Sequence, residues 1–139
     1  MIVEKLAHRV LLAALCAVAW LAPAQAASGD PAGTWRGSSI CQIRPSPCND
    51  EISSYRVIPD TNGHYLILMS KLVGTVYEEF GTLDATFDSA TSTLNATTYD
   101  RQRRPGQWRF TLTGNRLDGT LVTSDGKLYR RIVLTRTGS

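Results

Sequence analysis

The chain has 139 residues, with 15 Lys and Arg against 12 Asp and Glu, and 42% of its residues are hydrophobic. That is the size of one domain with its own core. The mild positive charge implies neither a nucleic-acid binder nor an acidic tail.

The first stretch reads as an export signal. "MIVEKLAHR" carries Lys5 and Arg9, an apolar run extends from Val10 to Ala22, and "AQA" places small residues at Ala24 and Ala26. Charged start, short apolar run and small-residue site are the three parts of a cleavable leader. The run is about 13 residues, short of the ~17 to 25 needed to span a bilayer, and no later segment is apolar enough to try. Lipidation at Cys16 is disfavoured by bulky Leu15 before it. Cleavage after Ala26 is therefore expected, with residues 27–139 as one soluble domain, periplasmic or extracellular, and monomeric. Cleavage would also remove Cys16 and leave Cys41 and Cys48, an even pair that in an exported protein reads as a disulfide. Closing that loop of about 8 residues would contribute roughly 2.5 kcal/mol. A metal site is not expected, because the cysteines are widely spaced and His64 is the only histidine left.

From residue 33 on, short apolar or β-branched runs follow one another: "GTWRGSSI", "ISSYRVI", "HYLILMS", "TVYEEFGTL", "ATFD", "TLNATTY", "QWRFTLTG", "RLDGTLVT" and "LYRRIVLTR". Turn-rich pieces separate them, among them "PDTNG", "DSATS", "RRPGQ", "TGN" and "SDGK". Asn62-Gly63 and Asp125-Gly126 are hairpin signals, since tight type I′ turns need residues that tolerate positive φ. No helical period appears in this region. Eight or nine antiparallel strands predict an all-β sandwich or barrel. Closure into a single up-and-down barrel of about eight strands removes the exposed edges of a small sheet.

Gly33-Thr34-Trp35 at the start of the first strand resembles the G-x-W signature of the lipocalin and avidin group of barrels. The longer string "GTWRGSSICQIRPSPCNDE" resembles small exported bacterial lipocalin-like proteins of uncharacterised function. The resemblance implies that Trp35 plugs the closed end and that Arg136 of the last strand packs across it. Other family features are missing: there is no helix after the barrel, "TTYDRQ" does not match the lipocalin middle-loop motif, and Gly37 and Cys41 stand where avidin-like proteins hold biotin.

A catalytic constellation is not found, and no cofactor is implied. His64 follows a turn and reads as a solvated strand-end residue, and the usual hydrolase, metalloprotease and phosphate-loop motifs are absent. Neighbouring Glu78 and Glu79 would point to opposite faces of a strand. Arg101, Arg103 and Arg104 with Trp108 and Phe110 combine the basic and stacking side chains of a nucleic-acid surface, but export argues against that partner. The simpler reading is a charged hairpin loop followed by a strand that turns Trp108, Phe110 and Leu112 into the core. In "KLYRRIVLTR" alternation puts Leu128, Arg130, Ile132, Leu134 and Arg136 on one face and Tyr129, Arg131, Val133 and Thr135 on the other. Either way a closed barrel turns an arginine inward, where it needs a carboxylate such as Glu78 or Glu79, the face of Trp35, or a bound anion. Fatty-acid-binding barrels hold a carboxylate with an arginine and a tyrosine, and Tyr129 with Arg131 has a similar spacing.

The expected function is non-catalytic binding of a small amphipathic or hydrophobic molecule within the barrel. Its acidic end would lie near Arg130 or Arg131, with Tyr129 beside them, and its apolar body against Trp108, Phe110, Leu112 and the "HYLILMS" strand. The alternative is a protein-binding module, such as an inhibitor of an envelope protease or lysozyme, acting through the loop "CQIRPSPC".

Overall fold

A computed structural model describes residues 29–139; the leader, its cleavage site and Cys16 lie outside the described residues. Eight strands follow in chain order: β1 (Gly33–Cys41), β2 (Glu51–Pro59), β3 (His64–Val73), β4 (Val76–Asp88), β5 (Thr93–Tyr99), β6 (Pro105–Thr113), β7 (Arg116–Val122) and β8 (Leu128–Gly138). Each pairs antiparallel with the next, and β8 returns to β1 to close the barrel. Among the described residues there is no helix, and so none long and apolar enough to cross a membrane.

The side-chain period of two sorts residues between inside and outside. In β6, Trp108, Phe110 and Leu112 are buried while Gln107, Arg109 and Thr111 are exposed. In β8, Ile132 and Leu134 face in and Arg131, Val133 and Thr135 face out. Every strand contributes to one continuous core, in which Tyr55 meets Phe110 edge-on at 6.2 Å and Phe110 stacks on Trp108 at 6.3 Å. Gly119 makes room for this stack, because a Cβ there would sit 2.5 Å from the Phe110 ring.

Two sequence expectations change in detail. "TVYEEFGTL" and "ATFD" form one strand, β4, because a bulge at Phe80 shifts the pairing between Ser70–Glu79 and Met69–Gly81. The extra residue shifts the inside-outside phase of β4 without ending the strand. Asn62 and Gly63 both have positive φ, as a type I′ turn requires, but at the second signal only Gly126 does. There Gly126 N–H donates to Thr123 O and Lys127 O accepts from Thr123 N–H, a longer hairpin loop in which Asp125 stays at ordinary φ.

The seams of the wall are unequal. β3 and β4 are bridged over ten residue pairs, but β4 and β5 over only three, from Thr86–Asn95 to Asp88–Thr93. Residues 76–85 of β4 therefore have no ladder partner in β5.

Up-and-down order collects the connections at two ends. The end bearing residues 29–32 and the β2–β3, β4–β5 and β6–β7 turns is closed. Trp35 is fully buried there and its indole N–H donates to Pro31 O at 2.9 Å. The Arg136 guanidinium lies 4.3 Å from the centre of that ring and donates to the carbonyls of Ala32 and Asp30 and to Asn115 Oδ1.

Candidate functional site

The other end, the mouth, carries residues 42–50 and the β3–β4, β5–β6 and β7–β8 connections. Cys41 and Cys48 are joined by a disulfide and both are buried. Three of the four connections are organised around one aspartate each, a short acceptor well suited to turns. Asp50 accepts from Cys41 N–H at 2.9 Å and from the Arg44 guanidinium at 2.6 Å. Asp100 accepts from the N–H groups of Gln102 and Arg104 and from Arg104 Nε at 2.7 Å. Asp125 accepts from the Thr123 hydroxyl at 2.6 Å and from Lys127 N–H. These bonds favour the charged form and hold each carboxyl below its ordinary range. The leading cause is the Cys41 N–H for Asp50, the Arg104 N–H for Asp100 and the Thr123 hydroxyl for Asp125.

Inside the mouth lies a polar layer. Arg130 faces in and donates to Ser39 Oγ at 3.0 Å, to Asn49 O at 3.0 Å and to Glu51 Oε1 at 3.3 Å. The side chains of this ion pair are only 12% and 16% exposed. Ser53 and Tyr55 follow Glu51 on the inner face of β2, both buried. Burial, and then the Glu51 carboxylate, push the Tyr55 phenol up to about 12. The Ser53 hydroxyl is buried without a hydrogen-bond partner among the described residues.

Two cavities open beside this layer. One, of about 520 Å³, is lined by Ile43, Thr98, Tyr99, Leu121 and Tyr129 with the Asp100–Arg104 pair at its edge. The second, of about 550 Å³, is lined by Glu51, Ile52, Lys71, Leu72, Tyr129 and Arg130. Tyr129 borders both, displaced by a register shift where β7 and β8 pair.

The structure brings Arg130 and Tyr129 together at the mouth and separates Arg131 from them. Arg131 is exposed on the outer wall, where it lines a shallow 260 Å³ depression with Arg109 and Asp118. Phe110 lies in the packed core and lines neither mouth cavity; Trp108 is also core, though its indole N–H donates at 2.9 Å to the cavity residue Thr98. The carboxylate that meets the inward arginine is Glu51, whereas Glu78 and Glu79 are exposed on β4. His64 is exposed, with Nδ1 3.6 Å from Asp84. No cluster of three metal-ligating side chains occurs among the described residues.

Sequence reasoning missed Glu51, Ile43, Tyr99, Leu121 and the bracing aspartates. Strand parity was the available signal for Glu51, since it shares the inner face with buried Ser53, Tyr55 and Val57. The loop residues gave no comparable signal, because their convergence depends on which connections share an end.

No protein-family model and no curated protein matches the chain. The closed eight-strand antiparallel barrel is compatible with a lipocalin-like fold.

Proposed function

We propose that this is an exported, non-catalytic binding protein that takes a small amphipathic molecule at the mouth of the barrel. The observation that carries the reading is the 520 Å³ cavity between the disulfide-closed loop and two aspartate-braced hairpins. Its volume falls within the range of small-molecule sites, and it combines an apolar floor with a few convergent polar groups. Leu121, Ile43 and the Tyr129 ring suit an apolar body, and Thr98 and the Asp100–Arg104 pair suit a polar end. The ligand lies higher than a barrel-centred site would hold it, because core side chains from all eight strands occupy the axis below. Arg130 already has a carboxylate partner, so an acidic ligand would have to displace Glu51 for little net gain. Its role in this reading is to brace the mouth.

The test is saturable displacement of a fluorescent amphiphile, followed through Trp108 emission, because the indole is bonded to a cavity residue. Tyr129→Ala should weaken binding about 10-fold, equivalent to ~1.4 kcal/mol. Absence of saturable binding, or an unaffected Tyr129→Ala variant, would reject the cavity as the site.

A second reading has one observation in its favour. Arg44, Pro45 and Pro47 are exposed on a loop closed by the disulfide and by Asp50. Such a preorganised loop suits recognition of an envelope protein. Inhibition of a purified protease or lysozyme that is lost with Arg44→Ala would favour this reading.

A further inference from the structure

The β3–β4 and β5–β6 hairpins are neighbours on the rim, since β4 is next to β5. At the tip of the first, Val73 and Val76 face each other across the strand pair and are 44% and 60% exposed. At the start of the second connection Tyr99 is 66% exposed. Val76 stands clear at a hairpin tip, and Val73 and Tyr99 stand exposed at the rims of the two mouth cavities, where a soft interface can receive all three.

Charge favours one kind of interface. The mouth connections hold five cations, Arg44, Arg101, Arg103, Arg104 and Lys127, and three acids, Asp50, Asp100 and Asp125. Each acid is already within 4 Å of a cation of its own loop, in the pairs Arg44–Asp50, Arg104–Asp100 and Lys127–Asp125. Arg101 and Arg103 are exposed and carry no ion pair among the described residues. Arg109 and Arg131 extend the positive surface down the adjoining wall. Glu78 and Glu79 lie farther from the rim on β4, Glu78 opposite Lys71. At the closed end Asp30, Asp60 and Asp88 are in no ion pair among the described residues, and they outnumber the Arg136 guanidinium, which ends on carbonyls there.

We propose that this sector of the mouth docks on an anionic lipid surface. Val73, Val76 and Tyr99 enter the interface while Arg101 and Arg103 meet lipid phosphates. Aliphatic and tyrosine side chains suit the headgroup boundary. A negative surface attracts this end and repels the closed end, which fixes a mouth-down orientation. The inference goes beyond the cavity reading and uses residues, Val76, Arg101 and Arg103, that do not line the amphiphile cavity.

Co-sedimentation of the mature protein with vesicles tests it. Binding to phosphatidylcholine vesicles containing phosphatidylglycerol should exceed binding to phosphatidylcholine alone and should fall with added salt. Arg101→Gln with Arg103→Gln should weaken partitioning about 30-fold, since each basic residue near such a surface contributes about a factor of five, together about 2 kcal/mol. Val76→Ser should weaken it about 15-fold, the loss of two methyl groups from an apolar contact. Both variants alter exposed positions and should melt with the parent. Tyr129→Ala should bind vesicles like the parent, which separates failure at the cavity from failure at the membrane. Absent or equal binding to the two vesicle types overturns the proposal. So does tight binding to a soluble polyanion, heparin, that competes with vesicles and ignores Val76→Ser.

Discussion

Arg136 and Arg130 stand on the inner side of the same strand and are held in different ways. Arg136 lies on the face of Trp35 and ends on backbone carbonyls, beneath a segment that seals the barrel. Arg130 ends on Glu51 and on Ser39, beside open cavities. The closed end is therefore held mainly by aromatic packing and main-chain acceptors, with the Asp30 carboxylate in a lesser part, accepting from Ala32 N–H and the Tyr65 hydroxyl. The mouth is held by carboxylates and one covalent bond, which respond to acid and to reductant. The contrast suits a scaffold with one permanent end and one adjustable end.

Removing the indole attacks the permanent end. Trp35→Ala should cost about 3 to 5 kcal/mol, the range for deleting a large buried aromatic, measured by urea denaturation. A loss below about 1 kcal/mol would mean that the closed end does not anchor the fold. At the mouth, the double change Cys41→Ser, Cys48→Ser should cost roughly 2.5 kcal/mol through the loop-closure entropy of the unfolded chain. An unchanged urea midpoint would show that the aspartate contacts alone hold that loop.

The next comparison sits between two adjacent residues of β8. Arg130→Met should cost about 1.5 to 3 kcal/mol, because it removes charged hydrogen bonds and leaves Glu51 without its cation. Arg131→Met, on the outer wall, should stay within about 0.5 kcal/mol. Equal losses would contradict the assignment of inner and outer faces.

Acid should give the smallest and most local effect. Asp50, Asp100 and Asp125 are held below their ordinary range in the folded state. Such groups contribute stability above the unfolded carboxyl value, about 4, and lose it as pH falls from there toward the depressed folded value. Amide exchange at Cys41, Arg104 and Lys127, corrected for the intrinsic effect of pH, should lose protection below about pH 4 while Trp35 keeps its buried signal. Simultaneous loss at both ends would erase the distinction between them.

The barrel was legible because its residues repeat one simple rule. Trp108, Phe110 and Leu112 alternate with Gln107, Arg109 and Thr111, and the same period runs through β8. Gly33-Thr34-Trp35 and the Asn62-Gly63 turn added fixed points. The ion pair at the mouth was less accessible. Glu51 meets Arg130 only because β1 pairs with both β2 and β8, which brings distant parts of the chain together. Likewise, Trp108 and Phe110 look alike in sequence as ligand contacts and as core residues, and only depth in the closed barrel distinguishes them.

The short ladder between β4 and β5 bears on how the barrel breathes. Two four-stranded halves meet along two lines, a long one at β1–β8 and a brief one at β4–β5. Fluctuations should part the brief line first, letting water reach Leu83, Ala85 and Ala96 before it reaches Ile132 or Leu134. Deuterium uptake over residues 76–85 should then run ahead of uptake over 130–136. The wall would then admit water first at this seam, without any movement of the disulfide-closed loop.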